Sequence, residues 1–225
     1  MKKLILLFFV ITLCNCVGED IYDDFVEQRI IVSNPISDLK VGDTYQFGFS
    51  YFNNVGKKED VNVNWMSSNT SVITIDNQGL ATAVAEGTTK ITVSLTQDEN
   101  IKYELSVNSG SETVMMEDPT EIVGVIKSTS SYQLEGDFTL ADAGHGLELR
   151  LASNFKATTA LPGLYVYLSN NPTSISNAYE IGAVTVFSGA NTMSIDASIG
   201  IMDYTYLLYF CKPYNVKVGH GKISN

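Results

Sequence analysis

Residues 61–84 read VNVNWMSSNTSVITIDNQGLATAV, and their pattern indicates the fold class of the chain. Apolar and polar residues alternate at its start, which puts Val61, Val63 and Trp65 on one face of an extended strand. Two further β-rich runs follow, separated by the tetrapeptide at 76–79, Asp-Asn-Gln-Gly. Because Asp and Asn tolerate left-handed backbone angles and Gly adopts them freely, this tetrapeptide predicts a hairpin turn. The stretch therefore predicts short paired strands.

The same pattern continues on both sides of this stretch, from residue 29 to residue 107. Alternating β-rich runs are separated there by Gly, Asn, Asp and Ser, and helical periodicity is almost absent. About seven short strands in about 80 residues are typical of a small β-sandwich. We therefore predict an independent N-terminal domain over residues 29–107.

Residues 65–76 and 79–88, WMSSNTSVITID and GLATAVAEGT, resemble the bacterial immunoglobulin-like domain of group two. In that family a Trp-Ser-Ser segment leads to a Gly-Leu-Val-Thr-Ala turn and then to a Gly-Thr turn; Met66 replaces the Ser that usually follows Trp. The resemblance implies a spacer or binding module of a surface protein, without catalysis. Trp65 could serve as a sugar-stacking platform, but its alternation with Val61 and Val63 favours a core position.

A second β domain is predicted over residues 125–224, after a linker at 108–124 that contains a Ser/Gly/Glu stretch and Pro119. Its most apolar run, residues 204–211, is typical of a strand buried on both faces, so Cys211 at its end is predicted to be partly or fully buried. The predicted fold class is thus all-β, an N-terminal immunoglobulin-like β-sandwich followed by a C-terminal β-sandwich or barrel.

The second domain resembles the DM-thirteen domain, which accompanies the DOMON domains of extracellular redox proteins and occurs in bacterial lipoproteins. The similarity lies in GDF at 136–138, LYVYLS at 164–169, YEIG at 179–182 and LYFCKPYNV at 208–216. That family carries a near-constant Cys in the last segment, so the resemblance implies that Cys211 is a free thiol or the ligand of a prosthetic group. The chain departs from the family at 161–163, where Leu-Pro-Gly replaces Gly-Pro-Asp, and at 218–221, where Val-Gly-His-Gly replaces Phe-Gly-x-Ala.

Cys211 is the candidate redox or ligand residue of the chain, and an inert core position is the alternative interpretation. A thiolate needs a nearby cation, yet neighbouring Lys212 should point to the opposite face of the strand. His145 and His220 are the only histidines, and either could pair with Cys211 or bind haem beside it. Glycines flank both histidines, so turn positions are the simpler interpretation. We therefore predict no cofactor, and haem at Cys211 is the alternative.

Other chemistry has little support in the sequence. The chain contains neither a redox CxxC pair nor a C-x-x-C-H haem attachment motif. No nucleophile elbow accompanies the serines, and the His and Cys residues are too few for a zinc site. The acidic residues Asp43, Asp60 and Asp76 are scattered and lack the spacing of a calcium loop. We predict no catalytic residue and no metal site.

Residues 1–16 resemble a bacterial lipoprotein signal peptide. Two lysines precede a ten-residue run at 4–13, apolar except for one Thr and about half the ~20 residues that a membrane-spanning helix needs. The run ends in Leu13-Cys14-Asn15-Cys16, which is similar to a lipobox and makes Cys16 the predicted lipidation site. Cys14 as the lipidated residue, and an ordinary cleaved signal peptide, are the alternatives. Residues 17–28 are acidic and predict a solvated tether like those of surface-exported outer-membrane lipoproteins.

The formal charge of −11 argues against binding to nucleic acid, whose phosphates require Lys and Arg. We expect a lipid-anchored cell-envelope protein, an outer-membrane lipoprotein exposed at the surface, in which the first domain is a spacer or adhesion module that presents the second. The alternative is an extracytoplasmic redox or electron-transfer accessory that uses Cys211. The expected partners are the membrane, through the lipid, and a surface glycan or an envelope protein; twelve Tyr and ten Phe could supply sugar-stacking platforms.

Overall fold

The computed structural model describes residues 25–223, and their regular elements are β-strands apart from one 3₁₀ turn at Lys212–Tyr214. The predicted all-β fold class is therefore confirmed. The predicted signal peptide, Cys14, the predicted lipidation site Cys16 and most of the predicted tether lie outside the described residues. None of the described residues forms a helix long and apolar enough to cross a membrane.

The N-terminal domain is a sandwich of short strands. The strands are β1 (Arg29–Val32), β2 (Ile36–Lys40), β3 (Thr44–Gln46), β4 (Phe49–Phe52), β5 (Lys58–Glu59), β6 (Val63–Ser67), β7 (Ile73–Ile75), β8 (Leu80–Ala83), β9 (Gly87–Leu95), β10 (Lys102–Gly110) and β11 (Val114–Met115). A five-stranded sheet with the order β11-β2-β10-β9-β6 packs against two three-stranded sheets, β1-β4-β5 and β3-β8-β7. Neighbouring strands are antiparallel except β2 and β10, which run parallel.

Trp65 lies in the core of this sandwich. Its side chain is 5% exposed and stacks on Phe47 with ring centroids 5.6 Å apart, so the predicted core position is confirmed. The predicted hairpin turn packs against the same indole: Gly79 has a φ of +83°, and a Cβ added there would lie 3.0 Å from Trp65. The turn glycine therefore serves both backbone conformation and packing.

The predicted linker, residues 108–124, contains more regular structure than its composition indicated. β10 continues to Gly110 beside β2, β11 pairs with the other edge of β2, and β12 begins at Glu121. Pairing requires backbone N–H and C=O groups, which Ser and Gly supply as well as apolar residues do. The connection between the domains is therefore confined to residues 116–120.

The C-terminal domain is a nearly closed antiparallel barrel. Its strands are β12 (Glu121–Ser128), β13 (Leu134–Asp142), β14 (Leu147–Leu151), β15 (Lys156–Ala157), β16 (Leu164–Ser169), β17 (Tyr179–Ala183), β18 (Asn191–Ile195), β19 (Tyr206–Cys211) and β20 (Val216–Lys222). They follow the order β17-β16-β19-β20-β12-β13-β14-β18, and the short β15 pairs with β13. The two ends of this order approach each other, since the backbone N–H of Asp196, after β18, donates to the hydroxyl of Tyr179 in β17 at 3.3 Å.

β19 is buried on both faces, as its composition predicted. Leu207 and Tyr209 belong to the cluster that fills the barrel, whereas Leu208 and Phe210 pack outside it against Tyr167. These four side chains of β19 are at most 4% exposed. The alternation of side chains along a strand places Cys211 on the same inner face as Leu207 and Tyr209.

Glycines allow β20 to lie close against its neighbours. A Cβ on Gly221 would come within 2.7 Å of the Phe138 ring, and one on Gly219 would collide with the carbonyl oxygen of Lys127. His220, between these glycines, lies inside β20. The prediction of a turn at His220 is therefore wrong: the flanking glycines lie in a strand, where their lack of a side chain lets the neighbouring strands pack closely.

Candidate functional site

Cys211, the candidate redox residue, is a free thiol with no exposed surface. It lies at the end of β19, opposite Leu164 of β16 and Val216 of β20. The adjacent Lys212 points outward: its Nζ donates to Oε2 of Glu180 at 2.7 Å and lies 4.8 Å from the centre of the Tyr165 ring. Lys212 is thus engaged on the barrel surface and does not face the thiol.

The structure separates both histidines from Cys211. His220 is opposite Leu208 of β19 and Lys127 of β12, and Leu208 belongs to the outer cluster, so His220 lies on the outer face. His145 is exposed in the bend between β13 and β14. The antiparallel order places that bend at the end of the barrel opposite Cys211. A haem ligated jointly by Cys211 and either histidine does not fit this arrangement.

The side chain of His220 is half-buried on the outer face of the barrel. Its ring meets Tyr206 edge-on with centroids 5.6 Å apart, and Nδ1 is buried without a hydrogen-bond partner in the structure. Burial, and to a lesser extent the charge of Lys217, lowers the pKa of His220 below its ordinary value. Residues 25–223 as a whole contain no group of three or more His, Cys, Asp or Glu side chains that could hold a metal ion.

A second site, which the sequence did not reveal, lies where the two domains meet. Nη2 of Arg29 in β1 donates to Oδ1 of Asn170 at 2.6 Å and to Oγ1 of Thr205 at 2.8 Å, both in the C-terminal domain. The Arg29 guanidinium also lies 4.5 Å from the centre of the Phe52 ring. Burial lowers the pKa of Arg29, although an arginine stays charged at physiological pH. We call these three hydrogen-bonding side chains the Arg29 latch.

Asn170 is held in place from both sides. It is 6% exposed, its Nδ2 donates to the carbonyl oxygen of Asp203 at 3.0 Å, and its Oδ1 also accepts from Thr205 at 3.0 Å. Gly56 of the N-terminal domain has a φ of +78°, and a Cβ there would lie 2.8 Å from the carbonyl carbon of Asn170. Only glycine permits this backbone conformation at so short a distance.

A cleft of about 690 Å³ lies at this contact. Ser50, Lys58 and Tyr103 line it from the N-terminal domain, and Asn177 and Tyr204 line it from the barrel. A second cleft, of about 800 Å³, adjoins it, because both clefts include Ile31, Asn170, Met202 and Tyr204 in their walls. The first is a pocket of ligand size at a domain boundary, where ligand sites are common.

The sequence carried no signal for this site. Arg29 stands at the start of the predicted N-terminal domain, and Asn170 directly follows the predicted strand at 164–169. Neither residue belongs to a sequence motif, and 141 positions separate them. Only the docking of the domains makes them neighbours.

The N-terminal domain can be placed in a family. Residues 27–103 match the family model described as bacterial Ig-like domain (group 2). The N-terminal domain is a bacterial Ig-like domain. The match begins just before β1 of the Ig-like domain and ends within its β10, so it includes Arg29, Gly56 and Tyr103. No curated protein matches the chain.

The Ig-like domain identifies the class of protein at a coarse level. Domains of this family occur in extracellular and cell-surface bacterial proteins, so the chain carries a module of the surface or adhesion type. In this protein one side of the Ig-like domain is bonded to the barrel through the Arg29 latch. The module thus forms one wall of the cleft.

Proposed function

We propose that this protein is a lipid-anchored component of the bacterial cell envelope, an outer-membrane lipoprotein exposed at the surface. In it the Ig-like domain and the barrel act together as an adhesion unit, whose partner is a surface glycan or an envelope protein. The observation that carries the proposal is the Ig-like domain, whose family match begins at residue 27, shortly after the lipobox-like Cys16. This order of segments fits a domain that emerges from a membrane on a short acidic tether.

The proposed anchor is Cys16, acylated after removal of residues 1–15. The lipobox-like sequence Leu13-Cys14-Asn15-Cys16 and the short apolar run before it support this step. The net negative charge of the chain would not hold it on an anionic bilayer, so the lipid supplies the attachment. Two acyl chains or more give stable anchoring.

Incorporation of radiolabelled palmitate into the full chain, expressed in a Gram-negative host, tests the anchor. We expect label in the wild type and in Cys14→Ala, and loss of label in Cys16→Ala. Label that persists in Cys16→Ala, or no label in the wild type, would refute lipidation at Cys16. Protease treatment of intact cells then reports exposure at the surface.

The second candidate function is an extracytoplasmic redox or electron-transfer accessory. Its support is the resemblance of the C-terminal domain to the DM-thirteen family and the free state of Cys211. Because the thiol is buried, such a role requires either a group held inside the barrel or an opening of the β19 end. We rank this function below the adhesion unit for that reason.

An absorption spectrum of the full chain from a haem-replete, oxidising host separates the two functions. A Soret band that disappears in Cys211→Ala would favour the redox accessory. Thiol labelling extends the test: in a Cys14→Ala/Cys16→Ala background, only Cys211 can react. A featureless spectrum, together with labelling only after denaturation, would exclude the redox role.

A further inference from the structure

The cleft of about 690 Å³ between the domains combines apolar and hydrogen-bonding surface from both of them. Tyr103 comes from β10 of the Ig-like domain and Tyr204 from the segment before β19, and both side chains are partly buried. A tyrosine presents a flat apolar ring together with a polar hydroxyl. Ser50 and Asn177 add a hydroxyl and an amide to the lining. This mixture suits a ligand that has apolar faces and many hydroxyl groups.

The charged side chains that line the cleft do not favour a charged ligand. Lys57 and Lys58 line one wall, and Asp118 and Asp203 balance them in the lining. Lys57 is further compensated by Glu59 at 3.4 Å. With two bases against two acids, the cleft has no dominant sign of charge to attract an anionic or cationic ligand. An uncharged ligand therefore fits better than a nucleotide, an acidic polymer or a polyamine.

The cleft exists only while the domains are docked, and the Arg29 latch holds them at its boundary. Asn170 belongs both to the latch and to the lining of the cleft. Any change that releases Arg29 from Asn170 and Thr205 frees one wall to move relative to the other. The latch is thus a positioning element for the cleft.

We propose that the cleft between the Ig-like domain and the barrel binds an uncharged glycan, with Tyr103 and Tyr204 as its contact residues and the Arg29 latch setting the spacing of its walls. This proposal rests on the surface adhesion function proposed above and names the substrate class of that function. Surface exposure brings the cleft into contact with polysaccharides, and one aromatic ring from each domain supplies stacking for sugar faces. The amide, hydroxyl and carboxylate groups around them supply partners for sugar hydroxyls.

Native affinity electrophoresis of the full chain through gels that contain a neutral soluble glucan, mannan or galactan tests the proposal. Polygalacturonate serves as the acidic comparison. We expect retardation by at least one neutral polymer and little by polygalacturonate. Tyr204→Ala and Tyr103→Ala should each weaken binding about tenfold or more, as truncation does at the few aromatic residues that dominate a binding site.

Further variants separate an effect on binding from an effect on folding. Tyr214→Ala is the matched control, because Tyr214 is 68% exposed and lies outside the cleft lining. Tyr204→Phe keeps the ring and tests stacking apart from the hydroxyl. Arg29→Ala should also weaken binding, with both domains still folded by circular dichroism. The proposal is overturned if none of the neutral polymers retards the wild type, if polygalacturonate retards it as strongly, or if Tyr204→Ala and Tyr103→Ala bind like Tyr214→Ala.

The outcome separates this site from the anchor. If the wild type takes up no palmitate label but still binds a neutral glycan, the lipid anchor is refuted and the glycan site in the cleft stands. Label at Cys16 with no neutral glycan bound would refute the cleft site and leave the envelope placement standing.

Discussion

Nη2 of Arg29 donates a hydrogen bond to Oδ1 of Asn170 at 2.6 Å. This bond crosses the boundary between the two domains and joins residues that are 141 positions apart in the sequence. The same oxygen accepts a bond from Thr205, which also accepts from Arg29. The Arg29 guanidinium is partly buried. Two uncharged oxygens accept its hydrogen bonds, and the ring of Phe52 contacts it, so these groups stabilise its charge. A contact of this kind fixes orientation, because three groups must meet at once.

Replacement of Arg29 by Ala should loosen the docking of the domains. It removes two charge-assisted hydrogen bonds and leaves Asn170 short of one partner, which typically costs about 1.5–3 kcal/mol for bonds of this type. We expect a lower unfolding temperature and a broader distance distribution in small-angle scattering. Arg150→Ala is the control: Arg150 bonds Glu148 on the exposed surface, where pairs contribute about 0–1 kcal/mol. Equal behaviour of the two variants would contradict a structural role for the latch.

Gly221→Ala should destabilise the barrel. The added methyl would lie 2.7 Å from the Phe138 ring and 3.0 Å from the carbonyl oxygen of Val125, which forces strand β20 away from its neighbours. Overpacking of this kind costs about 1–3 kcal/mol, measurable by urea unfolding. Gly110→Ala meets only the amide of Asn108, at 3.3 Å, and should change stability much less. A Phe138→Leu background should reduce the penalty at Gly221; an unchanged penalty there would argue against the ring as its cause.

His220 should make stability depend on pH in the weakly acidic range. Its pKa is lowered in the folded state, so below the ordinary value of about 6.5 the unfolded chain takes up a proton that the folded chain does not. The free energy of unfolding should therefore fall as the pH decreases from about 6.5 towards the lowered folded pKa. Urea unfolding at pH 8, 6.5 and 5 measures the change.

The matched variants isolate this effect from the titration of other groups. His220→Gln should reduce the loss of stability between pH 8 and pH 5. His145→Gln, in an exposed bend, should retain it. If both variants follow the wild-type curve, His220 is not the group responsible.

Asp76→Ala should weaken the hairpin between β7 and β8. Oδ1 of Asp76 accepts from the backbone N–H of Gln78 at 2.8 Å and from that of Leu80 at 2.9 Å. Loss of such a local acceptor costs about 1 kcal/mol, which thermal unfolding of the Ig-like domain would show. Asp76→Asn keeps an oxygen in the same place and should be nearly neutral. A large loss in Asp76→Asn would mean that the charge, rather than the acceptor, stabilises the turn.

Local features were predictable because they arise within a few residues of chain. Alternation placed Trp65 in a core, the Asp76–Gly79 tetrapeptide placed a turn, and the apolar run at 204–211 placed a strand buried on both faces. The family match to residues 27–103 agrees with the resemblance that those same residues carry. Composition misled at 108–124, since Ser and Gly there belong in part to paired strands.

Periodicity and turn chemistry predicted the all-β class and the burial of Cys211, because both act over short distances, and the family resemblance at residues 65–88 predicted the Ig-like domain. The tertiary structure places His220 outside the barrel and His145 at the end of the barrel that is far from Cys211. It also decided that Arg29 meets Asn170 and that Tyr103 and Tyr204 share a cleft. The physical reason is that strand register, barrel closure and domain docking are set by many weak contacts acting together, and none of these contacts is encoded within a single segment.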